Sequence, residues 1–198
     1  MTDFDYRQPH CPLPESSLAQ REHMTLFALA AAGKNAAQQA PKVAALLAVL
    51  PKGETPYAQL RAATPETILA ALHTVKLGKY TTTLAALLVM RHFDLSQGTP
   101  GRDTWAALSG IGPKTASFIE LCLDPAARVA VLDTHILAHL REQGVPAPKS
   151  TPQTRSTYLR LEAHLLALAD ASGLTPQQYD LRVWAERSGN LVLPEAAD

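Results

Sequence analysis

The sequence predicts an all-α fold on three observations. Ala and Leu dominate the 46% of hydrophobic residues, while Val and Ile are few. That balance favours helix over sheet. Helix-start signals recur, with Ser16 or Ser17 ahead of an apolar run and threonine-proline pairs at 55–56, 64–65, 151–152 and 175–176. Each pair joins a capping hydroxyl to a residue suited to the first turn. Finally, Leu108–Ala116 reads Leu-Ser-Gly-Ile-Gly-Pro-Lys-Thr-Ala. Two glycines two apart make a tight turn, because glycine reaches positive φ cheaply. Pro113 follows where a helix would begin, and an apolar pattern runs on to Leu123. The reading is helix, glycine hairpin, helix.

Taken in order, Met1–Glu15 is an irregular arm with three prolines. A helix runs from Ser16 or Ser17 to about Ala32, and Gly33 stops it. A second helix lies within Lys34–Leu50, started or kinked by Pro41. Thr55-Pro56 and Thr64-Pro65 open two short helices, the second reaching about Thr74. His73–Tyr80 is a basic link into a helix from Tyr80 to about His92. Phe93–Arg102 is a polar loop, and Asp103 or Thr104 caps the helix before the hairpin. Asp124-Pro125 ends the helix after it. Arg128–Leu132 is β-branched but isolated, so it is extended chain crossing the core and not part of a sheet. Asp133 opens a helix that ends at Gly144. Thr151-Pro152 starts a long helix to about Ser172. Thr175-Pro176 starts the last one, to about Ser188, closed by Gly189-Asn190 ahead of a loose tail from Leu191. There is no internal repeat and no low-complexity linker.

Eighteen basic and eighteen acidic residues give a formal net charge of zero. A neutral total can hold a basic patch. Lys76, Lys79, Arg102 and Lys114 lie in segments that would face a phosphate backbone, with modest affinity that weakens steeply with salt. The two cysteines, Cys11 and Cys122, have no metal-ligand spacing, which points to a reducing cytoplasm and no disulfide framework. The N-terminus is acidic and polar, unlike a signal peptide, and no apolar run is long enough to span a membrane.

The candidate site begins at the hairpin. Its free N–H groups at Gly110 and Gly112, with the following helix N-terminus, form an anion site suited to phosphate. Lys114 stands at its mouth. The positive helix end disfavours an ammonium there, which would make free amine available as a nucleophile for a sugar carbon. Phe118 lies one turn on, on the same face. Asp133 is a helix N-cap by its position, and a capping carboxylate is also held ready to stabilise positive charge or accept a proton. Asp180 and Trp184 are four apart on the last helix. Gln20 is a weaker candidate for a further contact. His135 and His139 are also four apart, but no third ligand stands nearby, so they are helix-face histidines. Cys122 is a core residue.

Thirteen residues after Ala116 the chain reads Val-Ala-Val-Leu-Asp-Thr-His-Ile-Leu, from Val129 to Leu137. Together with Leu108–Ala116 it resembles the helix-hairpin-helix DNA glycosylase superfamily, which includes endonuclease III and the 8-oxoguanine DNA glycosylases. Lys114 falls on that family's catalytic lysine and Asp133 on its catalytic aspartate. Tyr179–Trp184 is similar to the Asp-Leu-x-x-Trp segment of compact archaeal-type 8-oxoguanine glycosylases. There an aromatic one turn after the lysine and a tryptophan on the last helix sandwich the flipped base, and an aspartate reads its edge. The resemblance assigns these roles to Phe118, Trp184 and Asp180; Gln20 is the weaker candidate for a further base contact, set against an ordinary surface glutamine, and Gly110, Gly112, Lys76 and Lys79 are the candidates for the DNA backbone.

The resemblance implies two lobes with a cleft between them and no iron–sulfur cluster. One lobe spans 34–132 and the other 1–33 plus 133–198. It implies a cytoplasmic, nucleoid-associated enzyme of base-excision repair acting on double-stranded DNA, with a monomer as the default expectation. The damaged purine, 8-oxoguanine, would be excised through a lysine Schiff base, and β-elimination would nick the strand. It needs no cofactor beyond a monovalent cation at the hairpin. Two alternatives stand: the same chemistry on another modified base, and a non-catalytic DNA-binding module. The chain departs from the family at Ser109, where proline is usual. It also ends Pro194-Glu195-Ala196-Ala197-Asp198 without the lysine some compact members carry, which leaves the exact lesion open.

Overall fold

The computed structural model describes residues 4–8 and 15–188. Cys11, the Gly189-Asn190 stop and the tail from Leu191 lie outside them. The described residues are all-α, with ten helices and no strand. The chain divides into two compact units, 1–124 and 125–198.

The first unit is built on α1 (Leu18–Ala31), which packs against α2 (Ala36–Val49), α3 (Pro56–Ala62), α5 (Tyr80–Met90) and α7 (Pro113–Leu123). Every residue of α1 from Arg21 to Ala30 is buried, so this helix is interior on all sides. Two of its polar residues are tied to α3. The Glu22 carboxylate accepts the Tyr57 N–H at 2.7 Å, and the Thr25 hydroxyl meets the Tyr57 hydroxyl at 2.6 Å. These bonds fix the start of α3 on α1. The expected grouping, with the N-terminal helix beside everything after Asp133, differs from this. The α1 contacts to four neighbours keep it in the first unit, and the division falls at Asp124, not Leu132.

The threonine-proline pairs at 55–56 and 64–65 behave as expected. Thr55 and Thr64 each accept a hydrogen bond from the third residue on and open α3 and α4 (Pro65–Thr74). Pro41 lies inside α2 on an exposed position, where the carbonyl it leaves without an amide partner can turn to water. The helix before the hairpin, α6 (Arg102–Ala106), is not capped by Asp103 or Thr104. Gly101, at φ +91°, precedes it without a side-chain cap, and the Thr104 hydroxyl instead donates to Pro100 O. Trp105 is fully buried beneath it, and its indole N–H donates to Thr99 Oγ1, whose hydroxyl donates to the Glu120 carboxylate. That relay fastens the loop, α6 and α7 together.

The second unit holds α8 (Thr134–Glu142), α9 (Arg155–Ala171) and α10 (Pro176–Ser188) around Leu132, Ile136, Leu140, Tyr158, Leu161 and Leu165. The stretch before α8 stays extended, as expected, because side chains satisfy its backbone. Glu162 accepts the Ala130 N–H at 2.8 Å, and Tyr158 donates to Ala130 O at 2.6 Å. A partner strand is therefore unnecessary. Helix α9 begins three residues later than the Thr151-Pro152 pair suggests. The Thr151 hydroxyl donates to Leu132 O, leaving Thr154 as the cap. Thr175 and Gln178 form a reciprocal cap on α10.

Candidate functional site

In the first unit the two hairpin glycines have different reasons. Gly110 has φ +80°, and a Cβ there would lie 2.7 Å from the Thr82 methyl carbon on α5. Gly112 has φ −89° and ψ 175°, ordinary extended backbone, with open space where its Cβ would be. The expectation that both glycines supply positive φ holds only for Gly110. Among the described residues nothing requires glycine at 112. Gly112 is the N-cap of α7 and provides no side-chain acceptor. The first amides of α7 thus stay open to a ligand.

Lys114 follows Pro113 on the first turn, half-buried, and makes no hydrogen bond or ion pair among the described residues. Phe118, one turn on, is likewise half-buried and packs on the core, whereas Thr115, Ala116, Ser117, Ile119 and Glu120 are all buried. Positions 114 and 118 are thus the open stripe of α7. Cys122 is buried as a free thiol.

Gln20 has a local task. Its side-chain oxygen accepts from the Ser17 N–H at 2.8 Å and the Ser17 hydroxyl at 3.0 Å, completing the capping box of α1. Only its amide NH2 remains for a ligand. Lys76 and Lys79 both have φ +52°, in the tight corner between α4 and α5. The Lys79 ammonium donates to Ala32 O at 3.0 Å. Two lysines that the sequence does not single out join this corner: Lys34 donates to Leu77 O at 2.5 Å and Lys42 to Lys76 O at 2.9 Å. In sequence, Lys34 is an ordinary lysine after a helix-stopping glycine, so no local pattern marks it.

In the second unit the structure brings Asp133, Asp180, His135 and Trp184 together. Asp133 is the N-cap of α8, its Oδ1 accepting from His135 N and Ile136 N, both at 2.9 Å. The sequence-based cap holds. Asp180 projects from α10 with one carboxyl oxygen fully sealed from solvent and without a hydrogen-bond partner among the described residues. Burial first, and the charge of Asp133 second, push the Asp180 carboxyl well above the usual carboxylate range, against a Val131 backbone hydrogen bond. A carboxyl in this position favours its protonated form. An ionised edge-reader is the simple expectation for this residue, and burial, with the Asp133 charge beside it, changes it.

Trp184 is half-buried, with its ring 6.3 Å from the His135 ring in an edge-on arrangement. His139 bonds the Tyr179 hydroxyl at 2.9 Å. Both histidines thus serve the packing of α8 on α10. Among the described residues no group of three or more His, Cys, Asp or Glu side chains is placed to hold a metal ion.

No protein-family model matches this chain. Its fold is nevertheless defined: it is that of the helix-hairpin-helix DNA glycosylases. The solved structures it matches include 8-oxoguanine glycosylases. One is the Methanocaldococcus jannaschii 8-oxoguanine glycosylase/lyase in complex with 15mer DNA containing 8-oxoguanine. It is 20% identical with a TM-score of 0.67, over 90% of this chain and 85% of that one. Another is Tm1821, the 8-oxoguanine DNA glycosylase of Thermotoga maritima, 20% identical with a TM-score of 0.66, over 89% and 83%.

Proposed function

We propose that the protein is a DNA glycosylase with lyase activity that excises 8-oxoguanine from duplex DNA. The observation that carries this reading is Lys114. Its side chain makes no hydrogen bond or ion pair among the described residues and stands one residue inside an uncapped helix N-terminus, behind a glycine hairpin, on a fold shared with 8-oxoguanine glycosylase/lyases. Binding a phosphate requires the hairpin amides but not a half-buried lysine beside them.

In this mechanism the Lys114 Nζ lone pair attacks C1′ of the damaged nucleotide. The glycosidic bond breaks, and the base leaves with its electron pair and takes up a proton. The nitrogen lone pair of the resulting C1′ aminal then forms a C=N bond as the C1′–O4′ bond breaks, O4′ taking up a proton as the 4′-hydroxyl of the opened sugar, which leaves a protonated Schiff base. Loss of a C2′ proton then expels the 3′ phosphate and nicks the strand. Asp133, anchored by two amides, either stabilises positive charge on the sugar or accepts the lysine proton. Phe118 and Trp184 supply π-faces to a base taken from the stack. In its protonated form Asp180 offers one donor and one acceptor, which pairs with O6 and N1–H of an oxidised guanine. The same pair of groups occurs on other bases with a cyclic amide edge. That property of Asp180 favours a second reading, the same chemistry on another modified base.

Borohydride trapping tests the proposal. The protein is incubated with duplex DNA carrying 8-oxoguanine opposite cytosine, reduced, and scored for a covalent complex beside Lys114→Gln. A complex lost in the variant is the expected result. Trapping only on a bare abasic site moves the assignment to another base. No trapping on either overturns the enzyme reading and leaves a DNA-binding module.

A further inference from the structure

We propose that Lys34, Lys42 and Lys79 form a second contact for a DNA backbone phosphate on the first unit, separate from the hairpin. The inference rests on the DNA-directed reading above. Its basis is the corner where the turn between α1 and α2 meets the turn between α4 and α5. Lys79 reaches back to Ala32 O, and Lys34 and Lys42 reach forward to Leu77 O and Lys76 O. Three ammonium groups converge, and all three partners are neutral carbonyls.

None of the three lysines makes an ion pair among the described residues. Their crowding is felt at Lys34, where burial first and then the charges of Lys79 and Lys42 pull the pKa down. The Lys34 ammonium would lie 3.4 Å from a Cβ at Gly78, and the Lys79 ammonium 3.7 Å from one at Gly33. Both glycines are at positive φ, +81° and +70°. An ammonium has three donors, and each of these has one engaged by a carbonyl. The remaining donors and the uncompensated charge match one anion with several acceptor oxygens, which is a phosphate diester.

The corner also lies beside the hairpin. Lys79 is the N-cap of α5, and Thr82 on the first turn of that helix is the residue that meets Gly110. The two anion contacts therefore share α5 as a neighbour, so that one duplex can engage both. The carbonyl bonds alone would explain lysines that brace a corner. They do not explain why three like charges are gathered there without an ion-pair partner among the described residues.

The test measures binding to a duplex carrying a non-cleavable abasic-site analogue between about 50 and 200 mM salt. Wild type is compared with Lys34→Gln, Lys42→Gln, Lys79→Gln and the Lys34→Gln/Lys42→Gln double variant, with a melting curve for each. Glutamine keeps a donor for the carbonyl and removes only the charge. The expected result is a salt slope that falls by about one per lysine and several-fold weaker binding in each single variant, with melting temperature preserved. Salt slopes equal to wild type overturn the proposal, whatever the melting curves show. Weaker binding to heparin without weaker binding to the duplex also overturns it, because the patch would then be a site for another polyanion. Base excision plays no part in the readout. Loss of trapping with a changed slope sinks the enzyme reading alone, and normal trapping with an unchanged slope sinks the patch alone.

Discussion

Substituting alanine at each hairpin glycine separates what the fold needs from what a ligand needs. At Gly110 the added Cβ meets two penalties. The backbone at φ +80° is left-handed, which costs an L-residue roughly 1–2 kcal/mol. The Cβ also lies 2.7 Å from the Thr82 methyl, so α5 or the hairpin must move, at about 1–3 kcal/mol for overpacking. Together Gly110→Ala should destabilise by roughly 2–5 kcal/mol. Adding Thr82→Ser removes the obstructing methyl and should return the overpacking part while leaving the backbone part. Gly112→Ala meets neither penalty, since φ is −89° and no atom lies within 4 Å of the new Cβ. It should leave stability unchanged or raise it by about 0.4–1 kcal/mol through the unfolded chain. Its effect should fall on binding. A methyl that keeps one phosphate oxygen from a charge-assisted amide bond costs about 1.5–3 kcal/mol, or roughly 10- to 150-fold in affinity. Urea unfolding and duplex titration of the same variants read both quantities. Equal destabilisation by the two alanines, or duplex affinity untouched by Gly112→Ala, would refute the reasoning.

Two further outcomes concern the second unit. Asp133→Asn should preserve the cap of α8, because asparagine accepts the same two amide bonds, while Asp133→Ala should lose about 1 kcal/mol. If the charge serves the chemistry, Asp133→Asn lowers single-turnover excision by about 10²- to 10⁴-fold with an unchanged melting temperature; undiminished excision would leave Asp133 a cap alone. Burial and then the Asp133 charge raise the Asp180 carboxyl well above its ordinary range in the folded state, so between its unfolded and folded values it binds more protons folded than unfolded. Its contribution to stability is complete below the unfolded value and is lost as pH rises through the raised one. Asp180→Asn should flatten that part of a stability-versus-pH curve, and a curve identical to wild type would show that the carboxyl is not sealed in solution.

Much of the helical skeleton was legible because its signals are local. Thr55, Thr64 and Thr175 cap their own helices, and Asp133 caps the helix it precedes, through bonds two or three residues away. Lys114 and Phe118 share a stripe because a helix repeats every 3.6 residues. Thr151-Pro152 misled for the opposite reason: the Thr151 hydroxyl is taken by Leu132 O, nineteen residues away. Asp103 and Thr104 likewise lost the cap of α6 to the glycine before it.

The sequence by itself determined the all-α class, the hairpin, and which residues stand one turn from one another, since each depends on neighbours within about a helical turn. Tertiary structure decided the rest. It placed α1 in the first unit, gathered Lys34 and Lys79 from two separate turns and Lys42 from α2, gave Gly110 and not Gly112 an internal steric reason, and sealed Asp180 beside Asp133. Burial and the distance between charges depend on packing between segments far apart in the chain, and these set the electrostatics of the site.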